Sequence, residues 1–581
     1  MSHAPARDPE SAEPQPEAQT RGLLQSLAVY GKRRALIMLA LGFAAGLPNL
    51  LVFDTLSAWL RDSGLSLEVI SFFSLATLSY SFKFLWAPLI DRTAVPGLTG
   101  WLGHRRSWML VAQVAIIAGL TSIAVSNPKT SLLAVALFAV LTGFASATQD
   151  IVVDAWRIEA AEISRQGAMA AAYQWGYRIA IIVAGAVPLY LADRVGWNLS
   201  YGLTAGLMLI GAAAVFGAPR EQAHTIRGFP AGDAKSAPAL EAAEWGARLL
   251  MVIAGALLLG SGLGANADVL APIANSLGFS GAALKAAWTA KSTLAAMLQL
   301  ASVIIGFGII GLAATPLPRI RTRPGLYLFH ALGDPLADFF SRFGKAALLI
   351  LALICVYRLS DFVLNIMTPF YLDLGFTKTE IAEVRKVFGV VMSMAGVFVG
   401  GLSVARFGIM RSLVIGAFAL PITNTIFAWL ATQGPDMGSL FIAIGIDNVV
   451  SGYAGTCLVA YMSSLTSAGF TATQYALFSS LYSLPGKLIA SQSGRIVESA
   501  AHAAEGDGPL AFLRRLFVHT PPQAFASALQ KSHVLPQALG AGYVVFFIYS
   551  GMVGIGSMVL ALLVARSQPK AESRAAGTAS S

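Results

Sequence analysis

Runs of about twenty apolar residues recur along almost the whole chain, and that is the length an α-helix needs to cross the hydrocarbon core of a bilayer. They fall near residues 35–60, 69–90, 107–126, 130–153, 168–192 and 197–217, then 247–265 and 293–314. Six more lie near 346–372, 387–405, 412–431, 438–463, 473–496 and 540–565. Of the 581 residues, 56% are hydrophobic and 12% charged, with a mean hydropathy of +0.67. A soluble chain carries about 25% charged residues, so an all-α polytopic membrane protein is the class that fits.

About fourteen transmembrane helices are expected, grouped six, two and six. The grouping divides the chain into a disordered N-terminal tail (1–34), a first six-helix bundle (35–217) and a linker carrying two extra helices (218–345). A second bundle (346–566) with a long outer loop (497–539) and a short tail (567–581) complete it. The net charge of +10 does not point to nucleic acid, because the basic residues sit in short clusters between apolar runs. Clusters at Lys32–Arg34, Arg92 with Arg105 and Arg106, Arg220 with Arg227, Arg319–Arg323, Arg406 with Arg411, and Arg566 with Lys570 fall on one side. The positive-inside rule makes that side cytoplasmic, with both termini there. Residues 1–21 have no apolar core and do not read as a signal peptide. Cys355 and Cys457 lie within expected helices, which argues against a disulfide framework or a zinc site; no metal or cofactor is expected.

The two halves echo each other. Gly103-His104-Arg105-Arg106 is matched 305 residues later by Gly408-Ile409-Met410-Arg411, and the segment from Gly64 to Glu68 by that from Gly375 to Glu380. Arg178 and Lys487 correspond at an offset of 309, Asp150 and Asp447 at 297. Parallel six-helix halves with a site near the midplane between them are the layout of the major facilitator superfamily. The pair at 247–314 is then an insertion.

Charges inside apolar runs are the candidate chemistry. Asp150, Asp154 and Arg157 share one helical face in FASATQDIVVDAWRIE (144–159). Each ionised side chain at bilayer depth costs roughly 2.5–3.5 kcal/mol on insertion scales, so such groups face partners or water. Two carboxylates one turn apart repel when both are charged, which favours one holding a proton. Asp150, deeper in the helix, is the better proton carrier. The alternative is that both aspartates only lock helices together. Lys83 and Arg178 suit an anionic substrate, with Gln174 one turn before Arg178; the alternative pairs Lys83 with Asp54 and Arg178 with an aspartate. Arg358 and Asp361 are spaced to satisfy each other within one helix. Asp447 with Asn448 gives the second half its own polar stripe. Lys487 follows Pro485-Gly486, and Thr473 and Gln474 open their helix facing the cavity.

Particular residues also resemble a family. Gly46-Leu47-Pro48 with Thr55–Leu60, FKFLWAPLIDR (82–92), ATQDIVVDAW (147–156), Gly176-Tyr177-Arg178, Arg358–Asp361 and Ala472–Leu477 are similar to AmpG-type muropeptide permeases, in both halves. Asp54, the inserted pair and the loop 497–539 fall outside that resemblance. It implies proton-coupled import of anhydromuropeptides across the bacterial inner membrane for peptidoglycan recycling. The expected proton-coupling set is Asp150, Asp154, Asp361 and Asp447. The expected substrate set is Lys83, Gln149, Gln174, Arg178, Arg358, Gln474 and Lys487. Asp91, Arg92, Arg105 and Arg106, with Arg406 and Arg411, fit the superfamily loop motif and are expected to gate. A monomer in membrane lipid, with a small-molecule substrate and protons as partners, is the expected state.

Other signals lead nowhere. Gly260-Ser261-Gly262-Leu263-Gly264 lacks the preceding strand of a dinucleotide loop and reads as close helix packing. No P-loop, HExxH or GxSxG supports ATP-driven transport or an enzyme. Two alternatives stand: a carrier of another bulky anion such as acetyl-CoA, and a membrane sensor on the same fold.

Overall fold

The computed structural model describes residues 33–63, 80, 83–160, 165–221, 226, 238–263, 267–290, 292–315, 322–362, 366–377, 380–381, 383–490, 493–529 and 533–579. Most of the run at 69–90 and nearly all of the N-terminal tail lie outside these residues, as do the side chains of Asp54 and Lys487.

The described residues form helices and no strands. The first bundle contains α1 (Arg33–Leu50) and α2 (Leu56–Asp62), joined by a π-helical turn at Leu51–Thr55, then α3 (Ala87–Arg92), α4 (His104–Val125) and α5 (Leu132–Glu159). It continues with α6 (Gln166–Val195), α7 (Trp197–Gly206) and α8 (Leu209–Gly217). Between the bundles come α9 (Pro238–Leu263), the short hairpin α10 (Leu270–Ser276) and α11 (Gly281–Thr289), α12 (Thr293–Ala314), α13 (Arg323–Leu328) and α14 (Asp334–Phe343). The second bundle holds α15 (Ala346–Val356), α16 (Leu359–Phe362), α17 (Met367–Leu374), α18 (Gly389–Phe407), α19 (Ile409–Gln433) and α20 (Met437–Ser464). The chain ends with α21 (Thr471–Ala490), α22 (Ser493–Ala503) and α23 (Pro536–Ala579).

Ten described helical segments are long and apolar enough to cross a membrane, or eleven if the pair Arg323–Phe343 and Ala346–Asp361, bent by 112°, counts as one span. The expected count of fourteen is not confirmed: the run near 69–90 lies mostly outside the described residues, and others are interrupted. The run near 35–60 passes through a π turn three residues after Pro48, and the run near 346–372 is cut at Tyr357–Arg358 and again before Met367. A proline in a helix removes one backbone donor and opens such irregularities.

The relation between halves has a backbone signature. Gly103 (φ 98°, ψ 170°) and Gly408 (φ 84°, ψ 165°) occupy the same N-cap position, opening α4 and α19. Both φ values lie where a side chain is disfavoured, so glycine recurs at the turn. The segment from Gly375 to Glu380 forms a capping box: Glu380 Oε2 accepts from Thr377 N and Oγ1, both at 2.8 Å, and Glu380 N donates to Thr377 Oγ1. The hydrogen bond from the Thr377 backbone, joined by its hydroxyl, holds the Glu380 carboxyl below the usual range. This contribution is present at neutral pH and is lost as pH falls through that lowered value.

Small residues set the helix spacing. A Cβ on Gly176 of α6 would overlap the Leu39 carbonyl of α1, and one on Gly42 would overlap the Tyr173 carbonyl. The inserted helices α9 and α12 meet in the same way: a Cβ on Gly306 would lie 2.6 Å from Gly255 O, and one on Gly262 2.6 Å from Gln299 O. Gly262 thus packs helices, as expected. Within the loop 497–539, Phe517 is buried with Phe525 and Tyr543, and Leu510 and Leu513 pack against that core.

Gly176→Val should force α1 and α6 apart and cost about 1–3 kcal/mol or more, read as a lower thermal midpoint in detergent. Gly100→Ala, with nothing within 4 Å of the new Cβ, should leave the midpoint in place. Equal midpoints for both variants would refute the close-packing account.

Candidate functional site

A cavity of about 300 Å³ lies between the bundles. Helices α5 and α6 supply Asp154, Tyr173, Gln174, Tyr177, Arg178 and Ile181. The second bundle supplies Arg358 at the break before α16, Leu458 and Met462 from α20, and Tyr475, Ser479 and Tyr482 from α21. Tyr173, Gln174, Tyr177 and Arg178 are spaced one turn apart on α6, and Tyr475, Ser479 and Tyr482 on α21, so each helix turns one polar-aromatic stripe inward. The chamber has apolar patches and a tyrosine wall, with guanidiniums from opposite halves.

The two guanidiniums differ. Arg358 forms an ion pair with Asp361 and donates to Ser451 Oγ at 2.7 Å, while Ser451 donates to Asp361 Oδ2 at 3.1 Å. The spacing-based expectation placed Arg358 and Asp361 within one helix; in the structure the helix breaks between them, and Asp361 N donates to Arg358 O at 3.1 Å. Arg178 has no hydrogen bond or ion pair among the described residues. It therefore presents an uncommitted planar donor fork to the cavity.

The remaining expected residues are distributed around this chamber. Gln174 is on the wall and donates to Thr456 Oγ1 at 3.0 Å, across the halves. Asp154 is on the wall, 3.2 Å from Arg157. Arg157, fully buried, reaches across to Ser463 Oγ at 2.9 Å and lies over the Tyr475 ring at 5.3 Å. Asp150 lies behind the wall, where it accepts from the Tyr173 hydroxyl at 3.4 Å; Lys83, itself buried, is the cation that acts on it. Gln149 is fully buried, and neither amide atom has a partner among the described residues. Asp447 is off the wall, with Oδ1 buried and unpartnered among the described residues, and Asp361 and Arg358 are its charged neighbours. Gln474 does not face the cavity. It donates to Pro335 O and Asp338 Oδ2, both at 2.9 Å, and accepts from Ser467 N at 2.8 Å. It sits in the first turn of α21, at the end of the bundle, where loops compete for its amide.

The charges of the expected gate lie at that same basic end. Asp91 is 1% exposed. Its carboxylate takes the Arg105 guanidinium at 2.7 Å and accepts from Ala472 N (3.2 Å), Thr473 N (2.8 Å) and Thr473 Oγ1 (2.7 Å). An anion from the first bundle thus closes the positive end of α21 in the second. Arg105 also holds Glu159 at 2.7 Å, and Arg106 donates to Ala218 O at 2.9 Å. Arg92 reaches into the linker, to His330 O at 2.7 Å and Asp334 at 3.1 Å. Arg406 and Arg411 are exposed, with Arg406 lying over Phe407.

Sequence reasoning did not single out the four cavity tyrosines or the linker contacts. The i, i+4 spacing of Tyr173 with Tyr177 beside Gln174 and Arg178 was the available signal.

Two helical bundles around a shared, partly charged chamber are the arrangement that secondary transporters use. Residues 69–333 match the family described as Major Facilitator Superfamily. The chain is 28% identical over 472 residues to "Putative transporter AmpG 4" of Rickettsia conorii, covering 81% of this chain and 91% of that one. It is 28% identical over 478 residues to "Anhydromuropeptide permease" of Escherichia coli K12, covering 82% and 76%. A solved structure of the proton:xylose symporter XylE covers 91% of this chain and 94% of its own, at 10% identity and a TM-score of 0.47. The protein is an all-helical multi-pass membrane protein, and its resemblance to AmpG-type permeases is borne out by these relatives.

Asp91→Ala should remove a buried anion and break its ion pair with Arg105. The expected loss is about 3 kcal/mol, the low end for breaking a buried pair, visible as a lowered thermal midpoint. A midpoint equal to wild type would refute the capping role.

Proposed function

We propose that the protein imports anhydromuropeptides, sugar–peptide fragments bearing several carboxylates, from periplasm to cytoplasm together with protons. The carrying observation is the chamber between the halves in which Arg178 makes no ion pair or hydrogen bond among the described residues, while tyrosine rings form the walls. Guanidinium suits a carboxylate through two parallel charge-assisted hydrogen bonds. Tyrosine offers an apolar ring with a polar tip for pyranose rings and their hydroxyls. The name of the Escherichia coli relative, anhydromuropeptide permease, supports the same substrate class and a carrier rather than an enzyme.

Asp150, held near Lys83, is the proposed proton carrier, with Asp154, Asp361 and Asp447 as further titrating candidates. Lys83, Gln149 and Gln174, with Arg358 and Lys487, are proposed to act on the anionic cargo as it moves. The basic end is assigned to the cytoplasm by the positive-inside rule, placing both termini there and the protein in the bacterial inner membrane. On that assignment, Asp91 on α21 and Arg157 on Ser463 hold the cytoplasmic gate closed, with Arg92, Arg105 and Arg106 on the first-bundle side. Arg406 and Arg411 are the corresponding second-bundle charges. A chamber of about 300 Å³ is at the small end for ligand pockets, so the halves must part further for the cargo to pass. Released fragments would feed peptidoglycan recycling, with a monomer as the working unit.

The test is uptake of labelled anhydromuropeptide by proteoliposomes under an imposed proton gradient, read with substrate-dependent pH change. Uptake should occur with proton entry and should fail for labelled acetyl-CoA. Acetyl-CoA uptake without muropeptide uptake would transfer the chain to the rival anion, and a bound but untransported substrate would favour a sensor. Arg178→Ala should lose charge-assisted bonds of about 1.5–3 kcal/mol, raising KM about ten- to a hundredfold, with Arg178→Lys in between. A KM for Arg178→Ala within twofold of wild type would remove Arg178 from the site.

A further inference from the structure

We infer that Tyr173 is the positioning residue that couples cargo binding to protonation of Asp150; the inference rests on the transport reading above. Asp150 is not part of the cavity wall, so a substrate in the chamber does not touch it. Tyr173 belongs to both places. Its ring is wall, and its hydroxyl donates to Asp150 Oδ1 at 3.4 Å, from α6 to α5. The neighbouring Tyr177 instead has a partner on α1, accepting from Asn49 Nδ2 at 2.5 Å.

At 3.4 Å the contact is long for a hydroxyl–carboxylate bond, so the hydroxyl is readily given up to a competing acceptor. A hydroxyl donating to an ionised carboxylate makes a bond roughly twice as strong as one to a neutral acceptor. Cargo that engages the Tyr173 hydroxyl with a carbonyl or carboxylate oxygen competes for the same proton donor. Winning that competition withdraws stabilisation from the Asp150 anion and favours uptake of a proton by its oxygen. Linkage makes the effect reciprocal: a proton already on Asp150 releases the hydroxyl to the cargo. Proton and cargo therefore load together, which is what symport requires.

The groups facing Asp150 fit a buried relay. Lys83 acts from the segment before α3, Asp154 from one turn along α5, Tyr173 and Tyr177 from α6, Tyr80 from the first bundle and Tyr475 from α21. Tyr80 is committed to Ser146 Oγ at 2.7 Å. Among the described residues, the hydrogen bond to Asp150 comes from Tyr173.

The experiment compares wild type, Tyr173→Phe and Tyr177→Phe in proteoliposomes, all first checked for an unshifted thermal midpoint. Two readouts are taken with labelled anhydromuropeptide: uphill accumulation under an imposed proton gradient, and counterflow without one. Tyr173→Phe should cut accumulation at least tenfold while counterflow falls no more than threefold, and should flatten the gain in apparent affinity that wild type shows at lower pH. Tyr177→Phe should lower both readouts in proportion. Equal losses of accumulation and counterflow in Tyr173→Phe, or wild-type accumulation, would overturn the coupling role. Wild-type vesicles that show no proton-driven accumulation would instead overturn the transport reading and this role with it.

Discussion

A charge in the middle of an apolar bundle must be neutralised, solvated or shared, and the arrangement between the two halves follows from that requirement. Each ionised group away from water carries a penalty that only close partners offset. Here the partners come from different helices and often from different halves. Arg157 meets Ser463, Asp91 meets Thr473, and Arg358 shares Asp361 with Ser451. Because these bonds bridge the two bundles or hold the break before α16, the charges that would be a liability in lipid define how the bundles sit together. Arg178 is the exception that gives the chamber its character.

Packing supplies the complementary constraint. Within the first bundle α1 and α6 approach so closely that Gly42 and Gly176 have no room for a methyl group. Contacts of that kind make a rigid unit with little freedom to rearrange internally. Polar groups then concentrate where one unit meets the other, and that is where the cavity is found. Rigid halves with a polar seam are what alternating access needs, since movement is confined to the seam.

How much of this was legible beforehand depended on the kind of signal. The apolar runs revealed a polytopic helical protein, and the offset between Gly103 and Gly408 revealed a repeat, because both are properties of a chain read along its length. Charged residues in those runs were conspicuous, and Asp154, Gln174, Arg178 and Arg358 do meet at one chamber. The tyrosines were not conspicuous, since an aromatic residue in an apolar helix reads as packing until its neighbours are known. Gln474 went astray for a related reason. Its helix was found, but its position on the first turn, beside Asp338 and Ser467, depends on a linker whose path no local pattern specifies. Continuous hydropathy did not reveal the π turn and helix breaks that interrupt some of the expected spans.

The linker helix α14 has a mechanical consequence. Asp334 at its start is held by Arg92 of the first bundle, while Asp338 and Arg342 grip Gln474, Ser467 and the Leu465 carbonyl of the second. Phe339 and Phe343 anchor its other face in the second core. The covalent connection between the bundles is thus also a crossbar laid over their seam, and it cannot stay fastened at both ends while that seam widens. Parting the bundles there releases Arg92 from Asp334 along with Asp91 from α21, so a segment outside both bundles adds its own fastening to the seam.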